Sequence, residues 1–225
     1  MSLNNIIGPI MVGPSSSHTA GAVRIGLMAR ILLKDTPQSG EIYLHGSFAQ
    51  TGPGHGTDKA IIAGILGMQP DDRRIPDSFA AAKEQNFTFS IGTRNIMGAH
   101  PNTTLIRLQG VGGRKIEVQA SSVGGGSIMV NKIDGIDVNF RGENPTLIVH
   151  NLDQPGHVAE VTSLLAHKSV NIASMQLYRE RRGEYAVMVI ETDQPIPDNA
   201  IAWLEHLEGI IKVTYFNGLN HETGD

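Results

Sequence analysis

The chain contains no cysteine. That omission removes the disulfide staple, the thiolate-ligated zinc and the thiolate-ligated iron–sulfur cluster from anything this polypeptide can build alone. Its fold must come from apolar burial, and 225 residues suffice for one large domain or two small ones. Charge narrows the partners. The formal net charge of −4 is spread over both signs, with no basic run for nucleic acid and no acidic tail. Aromatic residues make up only 5% of the chain, too few for a base-stacking surface. No apolar run reaches the roughly 18 residues of a membrane span, and no basic segment followed by an apolar one opens the sequence. The expectation is a cytoplasmic protein that engages neither nucleic acid nor membrane.

Two stretches concentrate polar chemistry. In the first, Gly13-Pro14 blocks an earlier helix start. Ser15, Ser16, Ser17, His18 and Thr19 then supply five consecutive side chains that donate or accept hydrogen bonds. The run from 20 to 33, rich in Ala, Leu, Ile, Met and Arg, reads as a helix, with one of the Ser or Thr residues as its N-cap. A helix start carries free N–H groups and partial positive charge, which suits a carboxylate. One cap needs one serine, so three serines and a titratable histidine exceed a capping role. In the second stretch, from 46 to 59, Gly52, Gly54 and Gly56 alternate around Pro53 and His55. That density predicts a loop whose backbone is held close to a neighbour or at positive φ, with Thr57 or Asp58 capping the helix that follows. Two Ser/Thr/His segments, each opening a helix, point to one shared site.

Gly13-Pro-Ser-Ser-Ser-His-Thr-Ala-Gly21 and Gly46-Ser-Phe-Ala-Gln-Thr-Gly-Pro-Gly-His-Gly-Thr-Asp58 closely resemble the β part of the bacterial iron–sulfur-dependent L-serine dehydratases. The C-terminal third resembles an ACT domain, and the combination is similar to the separate β chain of the two-chain enzymes. The resemblance implies conversion of L-serine to pyruvate and ammonia, with a [4Fe-4S] cluster acting as Lewis acid on the serine hydroxyl. Without cysteine the cluster must sit on a partner α chain, so the expected enzyme is a lyase active only with that partner, and no metal ligand is expected here. For such an elimination His55, exposed by its glycines, is the first candidate for the base at Cα, because an imidazole titrates near ~6.5. His18 is second, for binding or proton transfer. Ser15, Ser16, Ser17 and Thr19 would hold the carboxylate, and Thr57 and Asp58 would orient His55 or cap its helix. A competing expectation has no catalysis. A domain of this type also resembles the allosteric substrate-binding module of some D-3-phosphoglycerate dehydrogenases, which would make the chain a purely regulatory subunit binding an anion or amino acid. A Ser/His/Asp hydrolase is excluded, since no Gly-x-Ser-x-Gly elbow occurs. His45, His55 and His100 lack the i, i+4 spacing of a helical metal site.

The remaining pattern is α+β. Helices are expected at 22–34, through 68 and from a cap at Asp77 to 85, and strands at 41–45, 87–91, 104–108, 115–119, 127–130 and 137–140. This gives an N-terminal domain over 1–142 with a mixed sheet. His100, before Pro101, is expected to be extended and structural, and Gly124-Gly125-Gly126 to form a turn. Gly142-Glu143-Asn144-Pro145 reads as a linker, after which the pattern restarts over 146–219. Strands at 146–150, 170–178, 184–191 and 210–216 alternate with helices at 157–167 and 198–207. That is the βαββαβ ferredoxin-like order. Val158, Val161, Leu164 and Leu165 are expected on the buried face of its first helix. By the resemblance, Asn151, Asp153 and Gly156 form the loop where ACT domains bind a small amino-acid effector, and this domain would also mediate self-association. A fold does not fix a function, so the effector role stays open at this point.

Overall fold

A computed structural model describes residues 11–13, 15–179 and 181–219. The chain divides into two compact units, Met1–Gly135 and Ile136–Asp225, and the architecture is mixed α+β in both.

The first unit is a sheet with its helices packed on one face. After a π-helical turn at Ser16–Gly21 come α1 (Ala22–Leu33), β1 (Pro37–Leu44), α2 (Gly46–His55), α3 (Thr57–Ile65), α4 (Ser78–Glu84), β2 (Thr88–Thr93), β3 (Thr103–Gly110), β4 (Lys115–Gly124) and β5 (Ser127–Ile133). The strand order is β2-β1-β3-β4-β5. β1 runs parallel to β2, and β3, β4 and β5 follow antiparallel. The parallel pair is permitted because α2, α3 and α4 supply the long crossover between its strands. The alternation of 115–119 is realised. Ile116, Val118 and Ala120 are buried, while Lys115, Glu117 and Gln119 face outward. On that outer face Arg107 donates to Glu117 (2.6 Å) and lies 3.5 Å from Glu41, an exposed ladder worth little in stability.

Two local expectations are corrected. The helix starting near residue 20 opens instead as a π-helical turn, with the regular helix beginning at Ala22. The 46–58 segment is not a loop: Gly46–His55 is helical despite Gly52 and Pro53. Tertiary anchoring overrides propensity there. Phe48 is fully buried, Ser47 N donates to Pro101 O (2.8 Å), and Gly46 takes φ +55 so close to Pro101 that an added Cβ would meet its Cα at 2.9 Å. Positive φ is found at Gly56 (+70), which ends α2 and starts α3. Neither Thr57 nor Asp58 caps α3. Gly56 occupies that position with no side-chain bond, and Asp58 Oδ1 accepts from Lys59 N (2.8 Å).

α1 and α3 cross at two glycines. A Cβ on Gly64 would collide with Val23 O and reach Leu27 N at 2.8 Å, and one on Gly26 would collide with Ile61 O and reach Ile65 N at 2.8 Å. The two backbones therefore touch directly, and Ala22, Val23, Ile25, Met28, Ile61, Ile62 and Ile65 flank the crossing with essentially no exposure.

The second unit contains β6 (Ile136–Phe140), β7 (Thr146–Leu152), α5 (His157–His167), β8 (Ile172–Arg179), β9 (Tyr185–Thr192), α6 (Asp198–Glu205) and β10 (Ile210–Phe216). Its four-stranded antiparallel sheet has the order β10-β7-β9-β8, which the βαββαβ succession produces when each helix returns the chain across one face. Leu147, Val149, Val161, Leu165, Met188, Ile190, Ala200, Leu204 and Val213 fill the core under the helices. Val158 is 41% exposed, so the apolar face of α5 is centred on the i, i+4 pair Val161 and Leu165. The opposite sheet face is buried as well at Ile148, Val187 and Val189, which explains the near-continuous apolar runs of β7 and β9. β6 lies against β8 and β9, and Tyr178 donates to Asn139 O (3.4 Å). His150, in β7 between Val187 of β9 and Lys212 of β10, has its Nε2 buried and unbonded among the described residues. Burial, then nearby Lys212, pushes its imidazole down to about 4.

Two outcomes are expected. Gly64→Ala, which would stabilise an unobstructed helix by about 1 kcal/mol, instead destabilises the chain by about 1–3 kcal/mol through overpacking. A lowered urea midpoint at unchanged slope is the readout. For His150, the unfolded chain binds the extra proton between pH ~6.5 and about 4. Stability therefore falls as pH drops through that window, by up to about 3 kcal/mol. His150→Gln should flatten that part of the pH–stability curve measured by urea unfolding, and an unchanged slope would remove His150 as its source.

Candidate functional site

The first unit's two polar stretches meet at a pair of histidines. Ser15, extended at φ −139 and ψ 124, caps the π-helical turn, and its Oγ accepts from His18 N (3.3 Å) and lies 3.4 Å from His18 Nδ1. The wide turn projects the His18 ring toward α2. There its Nε2 meets Thr51 Oγ1 at 3.0 Å and Ser47 Oγ at 3.3 Å. The ring also packs edge-on against Phe48, with centroids 5.2 Å apart, and stands 5.3 Å from the ring of His55 at an interplanar angle of 41°. π-helical turns of this kind concentrate at functional sites. Burial first, then the neighbouring His55, holds the His18 imidazole below its usual value, with the Ser47 backbone pulling the other way.

His55 ends α2 and is exposed. Its Nδ1 lies 3.1 Å from Thr51 O. A carbonyl only accepts, so Nδ1 carries the proton and the neutral ring's lone pair sits on Nε2. The structure thus brings His18, His55 and Ser15 together. Ser16 and Ser17 lie half-buried in the same turn, and Thr19 is buried beside Gly13 with its Oγ1 unbonded among the described residues. Thr57 is fully buried and its Oγ1 is also unbonded, while Asp58 is engaged with Lys59 N. Two further buried oxygens, also unbonded among the described residues, belong to the surrounding frame. Asn102 Oδ1 follows Pro101, on which α2 is anchored, and Ser122 Oγ occupies the space a Cβ on Gly21 would need. Buried polar atoms left without partners are uncommon and mark places where a ligand or water completes the bonding.

Ser47 and Thr51 escaped sequence reasoning. They stand at i and i+4 on one face of α2, a spacing that is visible only if 46–55 is read as a helix. His45 and His100 do not join the pair. Each accepts from a backbone N–H, His45 from Ile96 N in the segment after β2 (3.2 Å) and His100 from Asn102 N two residues on (3.1 Å). The Gly124–Gly126 turn meets α1 through Arg24, whose Nη1 donates to Gly126 O (2.8 Å). A groove of about 520 Å³ on the outer sheet face is lined by Glu41, Arg107, Lys115 and Glu117, whose central charges are spent on the Glu41–Arg107–Glu117 ladder. Among the described residues no group of His, Asp and Glu is arranged to hold a metal ion. With no cysteine either, the residues present do not fit an iron–sulfur cluster.

In the second unit the three expected effector residues take different tasks: β7 runs on to Leu152, so Asn151 is a strand residue and not part of the loop, while Asp153 and Gly156 lie in the turn that follows. Asn151 is buried. Its Nδ2 donates to Leu152 O (2.6 Å), and its Oδ1 is unbonded among the described residues. Asp153 Oδ2 accepts from Gly183 N and Arg179 Nη1, both at 2.9 Å, and the Gly183 N–H, then Arg179, hold its carboxyl below the usual range. Gly156, at φ +110, caps α5. His157 behind it is nearly buried, with Nδ1 3.3 Å from Glu160. No helix among the described residues is long and apolar enough to cross a membrane.

Comparison with known proteins follows the same division. Residues 7–133 match the family model described as serine dehydratase beta chain, and residues 145–205 match the ACT domain. The chain is 39% identical over 213 residues to a protein of Bacillus subtilis (strain 168) named probable L-serine dehydratase, beta chain, covering 95% of this chain and 96% of the relative. It is 40% identical over 195 residues to the L-serine dehydratase, beta chain, of Peptoniphilus asaccharolyticus, covering 86% and 88%. A more distant likeness, 24% over 177 residues, is to a D-3-phosphoglycerate dehydrogenase of Mycobacterium tuberculosis (strain ATCC 25618 / H37Rv), covering 78% of this chain and 34% of that one.

The ring contact makes a measurable prediction. In a histidine NMR titration of the full chain, His18 titrates below ~6.5. His55→Ala shifts its midpoint upward by removing the neighbouring charge, without restoring the ordinary value, because burial remains. A midpoint that does not move on His55→Ala would show the two rings to be electrostatically independent.

Proposed function

The chain belongs to the serine dehydratase β chain family, and from that membership we propose that it is one subunit of an L-serine dehydratase whose active site is completed by a second, α chain. The products are pyruvate and ammonia, and the compartment is the cytoplasm. A [4Fe-4S] cluster, which this cysteine-free chain has no thiolates to ligate, belongs on that α chain.

The observation that carries a chemical role for this chain is the His18–His55 pair. His55 Nε2 is an exposed lone pair, oriented by the Nδ1–H bond to Thr51 O, and it takes the proton from Cα of L-serine. With loss of the β-hydroxyl as water this leaves the enamine, which tautomerises to the imine and is hydrolysed to pyruvate and ammonia. His18, held neutral by burial and by its neighbour, supports the ring that takes the proton and does not compete for it. Ser16, Ser17 and Thr19 at the π-helical turn provide the hydroxyls for the carboxylate, with Ser15 fixing His18 and so acting one step removed. Thr57, buried just beyond the Gly56 elbow, and Asp58, bonded to Lys59 N, pack the start of α3 behind His55 without capping it. The ACT unit binds an amino-acid effector where β7 ends, at Asn151 of the strand and Gly156 of the turn after it, with Asp153 tying that turn to the β8–β9 turn, and it supports self-association of the chain.

One observation favours a second reading. The likeness to a D-3-phosphoglycerate dehydrogenase extends over 78% of this chain, and that relative is named for a different reaction. The same architecture is therefore compatible with a purely regulatory module, in which the histidine and hydroxyl cluster binds an anion or amino acid without taking a proton from it.

An anaerobic assay of serine-dependent pyruvate formation separates the two. The α chain alone, this chain alone and the mixture are compared, and His55→Ala is tested in the mixture. Activity only in the mixture, with kcat reduced ~10²-fold or more by His55→Ala, is the expected result. Full activity of the α chain alone, or normal kcat with His55→Ala, would leave the regulatory reading in place.

A further inference from the structure

The structure assigns to Thr51 a role that neither the sequence motifs nor the family match singles out: we propose that it is the positioning residue of the histidine pair, its hydroxyl fixing His18 as the Nε2–H tautomer and its carbonyl fixing His55 as the Nδ1–H tautomer. A threonine hydroxyl has one proton to give. Thr51 Oγ1 donates it to Ser47 O, one turn back in α2, at 2.8 Å, the usual local bond of a helical threonine. Toward His18 Nε2, at 3.0 Å, the same oxygen is left to accept, so this contact, the shorter of the two at Nε2, places the hydrogen on that nitrogen. Ser47 Oγ, at 3.3 Å, stands beside it as a second oxygen.

The neutral His18 ring then has its lone pair on Nδ1, which faces Ser15 Oγ at 3.4 Å. Ser15 Oγ already accepts from His18 N, so its own proton is available for that lone pair. Thr51 Oγ1 and Ser15 Oγ each give once and receive once. At its other end Thr51 offers only a carbonyl, and His55 Nδ1, 3.1 Å away, must donate to it. One residue therefore sets both rings. The opposite His18 tautomer would point a lone pair at Thr51 Oγ1, whose proton is spent, and leave only the longer contact to Ser47 Oγ to satisfy it. Of the four ring nitrogens of this pair, the one left with an uncommitted lone pair among the described residues is His55 Nε2, the atom the proposed reaction needs. The tautomer assignment stands on the geometry alone, and only its kinetic consequence rests on the functional reading above.

The test uses the full-length chain with 15N-labelled histidine, observed at a pH where both rings are neutral. The wild type should show His18 protonated at Nε2 and His55 at Nδ1. Thr51→Val removes the hydroxyl and keeps the carbonyl, so it should weaken the His18 preference and leave His55 unchanged. Ser47→Ala with Thr51→Val should abolish the His18 preference, and Thr51→Ser should restore it. In the mixture with the α chain, Thr51→Val should lower kcat roughly 10-fold, a fraction of the ~10²–10⁴ that a positioned acid–base group contributes. KM for serine should move less than about threefold, as for a group that acts through the transition state, and Thr51→Ser should recover kcat. His18 protonated at Nδ1 in the wild type, or an unchanged His18 tautomer in the double variant whose spectrum shows a folded chain, overturns the proposal. If the tautomers are as stated but His55→Ala leaves kcat normal, the assignment to Thr51 holds and it is the catalytic reading that fails.

Discussion

The first unit depends on the contact between the α1 and α3 backbones. Gly26 and Gly64 let two helices approach until a carbonyl of each would overlap a methyl group on the other. α1 begins directly after the π-helical turn that carries His18, and α3 begins directly after the residue that ends α2 and follows His55. Fixing the crossing therefore fixes both rings, and the 5.3 Å between their centroids is set from behind by packing, not by a bond between them. This is the usual economy of a polar site: the side chains that do the chemistry are loosely bonded to each other and firmly supported by apolar contacts that never see the ligand.

Much of the architecture was legible beforehand. Alternation in 115–119 marked a half-buried strand, and the succession of apolar runs after Pro145 marked the ferredoxin-like unit, because both patterns follow directly from the periods of 2 and 3.6 residues. The pairing of His18 with His55 was also legible, since two hydroxyl-rich segments opened successive helices. The helix at 46–55 was not. Its glycines and proline argue against regular structure locally, and only the burial of Phe48 and the anchoring of Gly46 on Pro101 outweigh them. With that helix hidden, Ser47 and Thr51 could not be placed on one face, and the capping roles given to Thr57 and Asp58 filled a gap that Gly56 occupies. Gly26 and Gly64 likewise look like weak points in helical runs until the partner helix is in view.

The absence of cysteine shapes the chemistry as strongly as it shapes the fold. A chain that offers imidazoles, hydroxyls and backbone amides can orient and deprotonate a small polar molecule, but it has no thiolates for an electrophilic cluster. Under the proposed division of those tasks between two polypeptides, the cluster and the proton-transfer site could be damaged or replaced independently.

Gly56 serves α2 and α3 at once, with φ +70 and no atom near its vacant side-chain position. The elbow between the helices therefore has a length of one residue and no slack. Insertions are normally tolerated between helices because a loop absorbs them, but none exists here. One added residue would have to lengthen one helix or the other, turning everything beyond it by about 100° around the axis. His55, immediately upstream, would then no longer face His18 from the same side. The chain can be expected to accept added length at the Gly124–Gly126 turn far more readily than at this joint, which behaves as a rigid lever arm.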